Sequence, residues 1–449
     1  MTATILIENL NYYIDTKLNV YENVDLLIDK KNNNNNNNNE NNNLAVITFG
    51  KNLINKINNI DKSNLKIING KNKCAMPGLT NTHTHIPMTL LRGISDDMIL
   101  QDWLNNKIWV NEAKLTNKDV YYGALLGCLE LLQFGITSFN DMYFFSEEIV
   151  KATKEIGLKG VISYPIIDFG TPEHNNIDKL LIEGEKFIKK HNNNNNNNTN
   201  NNNNNIKPAI APHAPYTCSE ETYIKCKNIA NKYNVLLHTH LSETRYEVVE
   251  MENNKKIRPV EYLNNLNILD ENTILAHCVW ITKEEVKILG KNNVKISHCP
   301  TSNMKLASGG VMPLVELQQN NCNLSLGSDG VASNNNMDIL EQMKITSLLH
   351  KAHRWDPTVA NIDDILKMAI NSEAIGFKNN DIILIDLNVP NMKPIHNIKS
   401  NIVYSANGNI VDSVIINGEI LLENKKFIFE NKFINNIYDN INNIIKKFS

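Results

Sequence analysis

The middle of the chain repeats one pattern eight times: a short apolar run with strand character, then a segment with helical spacing. The eight runs are Leu79 to His85, Ile136 to Met142, Gly160 to Ile167, Pro208 to His213, Val235 to Leu241, Thr273 to Ile281, Val294 to Pro300 and Asn323 to Asp329. Strand–helix units in series predict a parallel sheet, and eight of them favour an α/β fold closed as a (β/α)8 TIM-like barrel. An open doubly wound sheet is the alternative, but no Gly-x-Gly-x-x-Gly follows a strand-like run to support it.

Both ends of the chain are rich in short strand-like runs instead. They are Thr4 to Ile7, Val24 to Ile28, Leu44 to Phe49 and Leu65 to Ile68, and later Asp381 to Asp386, Ile402 to Ser405 and Ile410 to Ile420. We expect the two ends to form one small β-sandwich domain, with limits at 1–74 and 379–449 around a barrel of 75–378. The final stretch, Phe433 to Phe448, has apolar residues at helical spacing and is predicted to pack on this sheet.

Two asparagine tracts interrupt the pattern, at 32–43 and 192–205. Such low-complexity segments cannot bury apolar surface, so both are predicted to be disordered loops. The second tract falls between a helical segment and the next strand, on the face of a barrel opposite the strands' carboxyl ends. We therefore expect deletion of Asn192 to Asn205 to leave turnover largely intact.

Composition narrows the class of protein. The net charge is -3, from 45 basic and 48 acidic residues, so the composition has no excess of basic residues of the kind that nucleic-acid binding requires. The seven cysteines are scattered without a Cys-x-x-Cys pair, so a disulfide framework is not expected. The N-terminus lacks a signal-peptide pattern, and no apolar run is long enough for a membrane span. These features predict a cytoplasmic protein that binds neither nucleic acid nor membrane.

Ligand-type side chains stand at the ends of five of the eight runs. They are His83 and His85 on the first, then His213, His240, His277 and Asp329 on the fourth, fifth, sixth and eighth. Barrel chemistry takes place at the carboxyl ends of the strands, so we expect these side chains to meet there.

The residue types predict a metal site. His83 and His85 are two residues apart on a strand, so both imidazoles leave the same face. With His240 and Asp329 they form a donor set suited to a catalytic divalent ion, which lowers the pKa of bound water from ~15.7 to about 7. A second metal would need a bridging group such as a modified lysine, but the fourth run ends in His213 and has Lys207 only at its start. One metal is favoured, and His213 is left to contact substrate.

Other polar residues near these ends have predicted supporting roles. Glu243 lies just past the fifth run and is placed to reach into the site as an acid. His277 would polarise or orient the attacking water. His238 and His298 are expected to support ligands from behind or to pack in the core.

These motifs together resemble one protein family. The segments are His83-x-His85, Glu112-Ala113-Lys114-Leu115-Thr116, Pro212-His213-Ala214-Pro215-Tyr216, His240-x-x-Glu243, Ala276-His277-Cys278-Val279 and the run from Leu326 to Asn335. In this order they resemble the amidohydrolase superfamily, and within it the 5'-methylthioadenosine/S-adenosylhomocysteine deaminases, which include the archaeal 5'-deoxyadenosine deaminases. The resemblance runs from about Pro77 to His353.

The resemblance implies a role for each matched position. One divalent metal per subunit, zinc or alternatively iron, would be bound by His83, His85, His240 and Asp329. Glu112 would hold the ribose hydroxyls, His213 would contact the nucleoside, and Glu243 would contact the purine ring nitrogens. Glu243, His277 and Asp329 would be catalytic, with Asp329 moving a proton and contacting substrate as well. Lys159 stands where relatives often carry arginine, so we expect it to alter the pocket for the 5' substituent.

The implied reaction is hydrolytic deamination of the adenine of 5'-modified adenosines to an inosine-type product and ammonia. The implied substrates are 5'-deoxyadenosine, 5'-methylthioadenosine, S-adenosylhomocysteine and adenosine, and the resemblance also implies a homo-oligomer, a dimer or a tetramer. A deaminase of guanine, cytosine or a triazine is one alternative. A non-catalytic scaffold is another, although none of the metal ligands is missing.

Overall fold

The computed structural model describes residues 4–30, 45–56, 64–192 and 205–448. The tract at 32–43, and all but the first and last residues of the tract at 192–205, lie outside the described residues. The predicted disorder of both tracts is therefore not addressed by the structure.

The described residues form strands and helices in the following order. The strands are β1 (Thr4–Ile14), β2 (Val20–Lys30), β3 (Ala45–Gly50), β4 (Leu65–Asn69), β5 (Lys73–Pro77), β6 (Leu79–Thr84), β7 (Ile136–Met142), β8 (Lys159–Ile166), β9 (Ile206–Pro212), β10 (Leu236–Leu241), β11 (Thr273–His277), β12 (Lys295–His298), β13 (Asn323–Leu326), β14 (Ile382–Asp386), β15 (Val411–Ile416), β16 (Glu419–Glu423) and β17 (Lys426–Phe427). The α-helices are α1 (Leu100–Trp103), α2 (Trp109–Glu112), α3 (Asn117–Gln133), α4 (Ser146–Ile156), α5 (Ile177–His191), α6 (Glu220–Tyr233), α7 (Arg245–Lys255), α8 (Pro259–Asn265), α9 (Lys283–Lys291), α10 (Pro300–Lys305), α11 (Leu314–Gln319), α12 (Val331–Asn334), α13 (Ile339–Arg354), α14 (Ile362–Ala369), α15 (Ile398–Tyr404) and α16 (Asn431–Ile444). A π-helical turn, Leu104–Ile108, joins α1 to α2.

Strands β6 to β13 pair in chain order, each parallel to the next. The circle closes where the backbone N–H of Asp329 donates to the carbonyl of His83 at 3.0 Å. Inside, the Thr82 hydroxyl meets the hydroxyls of Ser297 (2.7 Å) and Ser325 (2.8 Å), which ties three strands together. Helices between the strands cover the outside, so both faces are buried and the strands can be apolar throughout. The predicted (β/α)8 barrel is confirmed, and the open sheet is wrong.

The two chain ends form a second sheet with nine strands. Its order is β17-β16-β15-β14-β5-β1-β2-β3, with β4 beside β1. Buried side chains from β1, β2, β5, β14 and β15 make a hydrophobic cluster separate from that of the barrel. The prediction that both ends of the chain build a separate sheet is confirmed. Strand β5 crosses the predicted limit at residue 74, and the domain limits themselves remain a prediction.

Two details of the C-terminal region differ from expectation. Ile402 to Ser405 was predicted as a strand, but α15 runs through it, begun by the Asn397 side chain, which accepts from the N–H of Ser400 at 3.1 Å. Its apolar residues are spaced for a helix face, with Ile398 and Ile402 both buried. Helix α16 packs on α3 of the barrel rather than on the sheet, and Lys447 just beyond it pairs with Asp119 at 2.6 Å.

In the described parts of the chain, no helix combines the length and the apolar character that crossing a membrane requires.

Candidate active site

A cavity opens at the carboxyl ends of the barrel strands. Seven of the residues predicted for the site line it, together with apolar side chains from α1, α2 and the π-helical turn between them. The seven are His85, Glu112, His213, His240, Glu243, His277 and Asp329. His83 lies beneath its floor, fully buried, with its ring 4.9 Å from the rings of both His85 and His240. The predicted convergence of strand ends on one site is therefore present in the structure.

Each of three histidines has its Nδ1 atom engaged behind the cavity. The Nδ1 of His85 donates to the carbonyl of Met142, and that of His240 donates to the carbonyl of His213 at 2.7 Å. The Nδ1 of His83 lies 2.9 Å from Nε2 of His238. A neutral imidazole that donates through Nδ1 keeps its Nε2 lone pair free, and such support is what orients metal-binding histidines.

The carboxylate of Asp329 faces these free nitrogens. Its Oδ1 lies 3.2 Å from Nε2 of His85 and 3.4 Å from Nε2 of His83. Its Oδ2 accepts from the hydroxyls of Ser302 at 2.6 Å and Ser333 at 3.0 Å. Burial pushes the pKa of Asp329 up, but the two histidines outweigh it and hold this pKa well below its usual range. The carboxylate is thus ionised and fixed in place.

The donor set fits a divalent metal ion. The Nε2 atom of His83 is buried and has no hydrogen-bond partner among the described residues, a costly arrangement unless a ligand satisfies it. Two groups of three residues each bring their ligand-type atoms within 4.8 Å of one another. One group is His83, His85 and Asp329, and the other is His83, His240 and His277. Imidazole and carboxylate are ligands that zinc and iron accept. The two groups share His83, so they adjoin one another.

His277 and Glu243 stand together at one side of this centre. The Nε2 atom of His277 lies 3.7 Å from a carboxylate oxygen of Glu243. The amide nitrogen of Asn303 lies 3.0 Å from Nδ1 of His277, which leaves Nε2 as the nitrogen that carries a proton toward the cavity. His277 can therefore donate a hydrogen bond to a group bound between itself and the metal ligands.

Burial changes the acidity of Glu243. The side chain is almost fully buried, and burial, with a smaller contribution from the negative charge of Asp329, raises its pKa to about 8. A carboxyl group with such a pKa is mostly protonated at neutral pH and can act as an acid. The role predicted for Glu243 from its place after β10 is chemically available.

A second glutamate, which our sequence analysis missed, holds Glu243 in place. The buried carboxylate of Glu247 accepts from the N–H of Ser242 at 2.8 Å and from that of Glu243 at 2.9 Å. Ser242 has a φ of 51°, in the left-handed region, so this turn is strained and needs such support. The spacing of four residues between Glu243 and Glu247, at a helix start, was the available signal.

The far wall of the cavity contains Glu112 at the end of α2. The residue is 5% exposed, and burial raises the pKa of its carboxyl group to about 7. His213 lies on the adjoining wall, with Nδ1 3.0 Å from the Thr217 hydroxyl. Burial and the neighbouring histidines lower the pKa of His213 to about 3, so it is neutral. Both residues predicted to touch substrate line the cavity.

Two other residues lie away from the cavity. Lys159 begins β8 at the opposite end of the barrel, where it pairs with Asp381 at 2.8 Å. The expectation that it shapes the pocket for a 5' substituent is wrong, because the first residue of a barrel strand lies on the structural face, opposite the cavity. The Nε2 of His298 lies 3.1 Å from that of His350 on α13, outside the barrel wall.

The comparisons with known proteins agree with this geometry. The amidohydrolase family profile matches residues 74–421. The chain is 44% identical to the 5'-deoxyadenosine deaminase of Methanocaldococcus jannaschii, over 84% of this chain and 90% of the relative. It is 41% identical to a 5-methylthioadenosine/S-adenosylhomocysteine deaminase of Thermococcus sibiricus, over 84% of this chain and 89% of that one.

Solved structures support the fold. A zinc-bound adenosine deaminase from Xanthomonas campestris superposes with a TM-score of 0.89 at 27% identity, covering 99% of this chain and 98% of the other. A triazine hydrolase from Arthrobacter aurescens superposes with a TM-score of 0.84 at 20% identity, covering 99% of each chain, and shows the shared fold alone. With the family profile spanning most of the chain and relatives above 40% identity, the chain belongs to the amidohydrolase family of metal-dependent hydrolases.

Proposed function

We propose that this protein is a metal-dependent deaminase that hydrolyses the exocyclic C–N bond at C6 of adenine in 5'-modified adenosines. The observation that carries the proposal is that Glu243, Asp329 and a cluster of histidines converge on one cavity at the carboxyl ends of the barrel strands. Relatives named for deamination of 5'-deoxyadenosine and of methylthioadenosine or S-adenosylhomocysteine support the choice of substrate.

In this proposal His83, His85, His240 and Asp329 hold one divalent ion, with zinc as first choice because a similar structure was solved with zinc. When bound, the ion would supply a hydroxide-like nucleophile from water at neutral pH. The Nδ1 contacts of the three histidines fix the rings so that Nε2 faces the ion. His277 lies at the same centre and serves to orient the nucleophile rather than to bind the ion.

The proton transfers are assigned to two carboxyl groups. Asp329 is ionised, so it can accept the proton of the attacking water and later deliver it to the departing amine. Glu243 is protonated, so it can donate to the purine ring nitrogen as C6 is attacked, and negative charge does not accumulate on the ring. The low pKa of Asp329 suits a base, and the high pKa of Glu243 suits an acid.

Glu112 is assigned to the ribose. A carboxylate can accept two O–H donors at once, which matches the two adjacent hydroxyls of ribose. We assign the neutral His213, which lines the same cavity, to contact with the nucleoside. Between these polar groups the walls are apolar, as expected for a pocket that excludes water from the reacting atoms.

The test is turnover by the purified protein. We expect ammonia release and the spectral change from adenine to hypoxanthine with 5'-deoxyadenosine, 5'-methylthioadenosine, S-adenosylhomocysteine and adenosine, ranked by kcat/KM. Guanine, cytosine and a triazine serve as controls, because the rival deaminases would act on these. Turnover of a control but of no adenine nucleoside would overturn the proposal, and no turnover with metal bound would favour a scaffold.

A further inference from the structure

Tyr143 follows β7 directly and lines the cavity beside the metal centre. The residue is 3% exposed, and its hydroxyl is buried without a hydrogen-bond partner among the described residues. Leaving a hydroxyl buried and unpaired costs about 1–3 kcal/mol, so a tyrosine that serves only to fill space would be better replaced by phenylalanine. The hydroxyl is therefore available to bond a group that enters the cavity.

The surroundings of this hydroxyl indicate where the partner sits. The hydroxyl lies beside the Glu112 carboxyl, near enough for a weak polar contact that shifts the pKa of both groups, but short of the distance and angle of a full hydrogen bond. Burial raises the pKa of Tyr143 well above its usual range, and the nearby Glu112 adds to this effect. The phenol thus stays protonated and remains a donor.

We propose that Tyr143 is a ribose-recognition residue, whose hydroxyl donates to the same sugar hydroxyl that donates to Glu112. A sugar hydroxyl offers one donor and two acceptor sites, so it can satisfy both groups at once. The Glu112 carboxylate then accepts from the sugar hydroxyl while the Tyr143 phenol donates to it, and a sugar without that hydroxyl leaves both protein groups without this partner. This inference rests on the proposed deaminase function and adds a specificity residue to it.

The test pairs a one-atom change in the protein with a change in the ligand. Tyr143→Phe removes only the phenolic oxygen, and Tyr438→Phe on the exposed face of α16 is the matched control. Both variants and the wild type are assayed with adenosine and with 2',3'-dideoxyadenosine. If the dideoxynucleoside turns over too slowly, its inhibition constant against adenosine replaces kcat/KM.

We expect Tyr143→Phe to lower kcat/KM for adenosine by roughly five- to tenfold, mostly through KM, the scale of one lost neutral hydrogen bond. For the dideoxynucleoside the value should stay within about twofold of wild type, because the partner hydroxyl is already missing. An equal loss with both ligands, or no loss with adenosine, would overturn the inference. If the wild type deaminates no adenine nucleoside at all, the proposed function fails instead, so the two failures are distinguishable.

Discussion

Replacing Glu243 by glutamine tests the acid role most sharply, because burial raises the pKa of this carboxyl and so sets how much of it is protonated at neutral pH. At pH 7 a carboxyl with a pKa of about 8 is about 90% protonated, whereas at the ordinary 4.5 it would be about 0.3% protonated. Burial therefore raises the acid form by about 300-fold. Glutamine keeps the shape and can donate a hydrogen bond, but it cannot transfer a proton. We expect kcat to fall by roughly 10²- to 10⁴-fold, the range for a positioned general acid.

The assay is ammonia release from 5'-deoxyadenosine, with metal content and thermal midpoint measured on the same samples. Glu220→Gln, in the exposed first turn of α6, is the matched control and should behave as wild type. In the wild type, kcat should decline as pH rises through about 8, because the active form of Glu243 is the protonated one. A Glu243→Gln enzyme within tenfold of wild type, or a wild-type rate undiminished at pH 9.5, would refute this reasoning.

Three further predictions follow from separate parts of the structure. Glu247→Gln removes one of the two side-chain oxygens that accept from the backbone N–H groups of Ser242 and Glu243, and it should lower kcat about tenfold with metal content unchanged. An unchanged kcat would contradict the positioning role. Lys159→Met leaves the buried Asp381 without its ion-pair partner and should lower the free energy of unfolding by about 3–5 kcal/mol in chemical denaturation, with kcat/KM retained. The control Lys66→Met, in an exposed pair, should lower it by under about 1 kcal/mol. A lower kcat/KM in Lys159→Met would contradict the placement of Lys159 away from the cavity. Deletion of 193–204, keeping the hydrogen-bonded Asn192 and Asn205, should leave metal content and turnover near wild type, and loss of the metal site would show that the tract reaches the active face.

Much of the barrel could be predicted because its signals are local. Eight apolar runs alternate with helical segments, and side-chain alternation on a strand puts His83 and His85 on one face whatever the rest of the chain does. In a barrel the carboxyl ends of the strands must meet, so the neighbours of His240 and Asp329 followed from topology. A resemblance supplied Glu112, whose position at the end of a short helix has no distinguishing pattern.

The parts that were missed depend on tertiary context. Ile402 to Ser405 is a short apolar run, and such runs fit a strand or a buried helix equally well; the Asn397 cap decided for the helix. The support for His85 and His240 comes from backbone carbonyls, which any residue type provides and which therefore leave no mark in the sequence. The role of Glu247 depends on a left-handed turn at Ser242. The position of Lys159 at a strand start could have been read as the structural face.

The central claim is that one ion is bound by side chains far apart in the chain. The most direct test is a crystal structure of the metal-loaded protein, with anomalous scattering recorded at the zinc absorption edge. We predict a single peak at about 2.0–2.2 Å from the nearest atoms of His83, His85, His240 and Asp329, with His277 farther away. A peak bound by His277 in place of His85, or no peak at these four residues, would contradict the account.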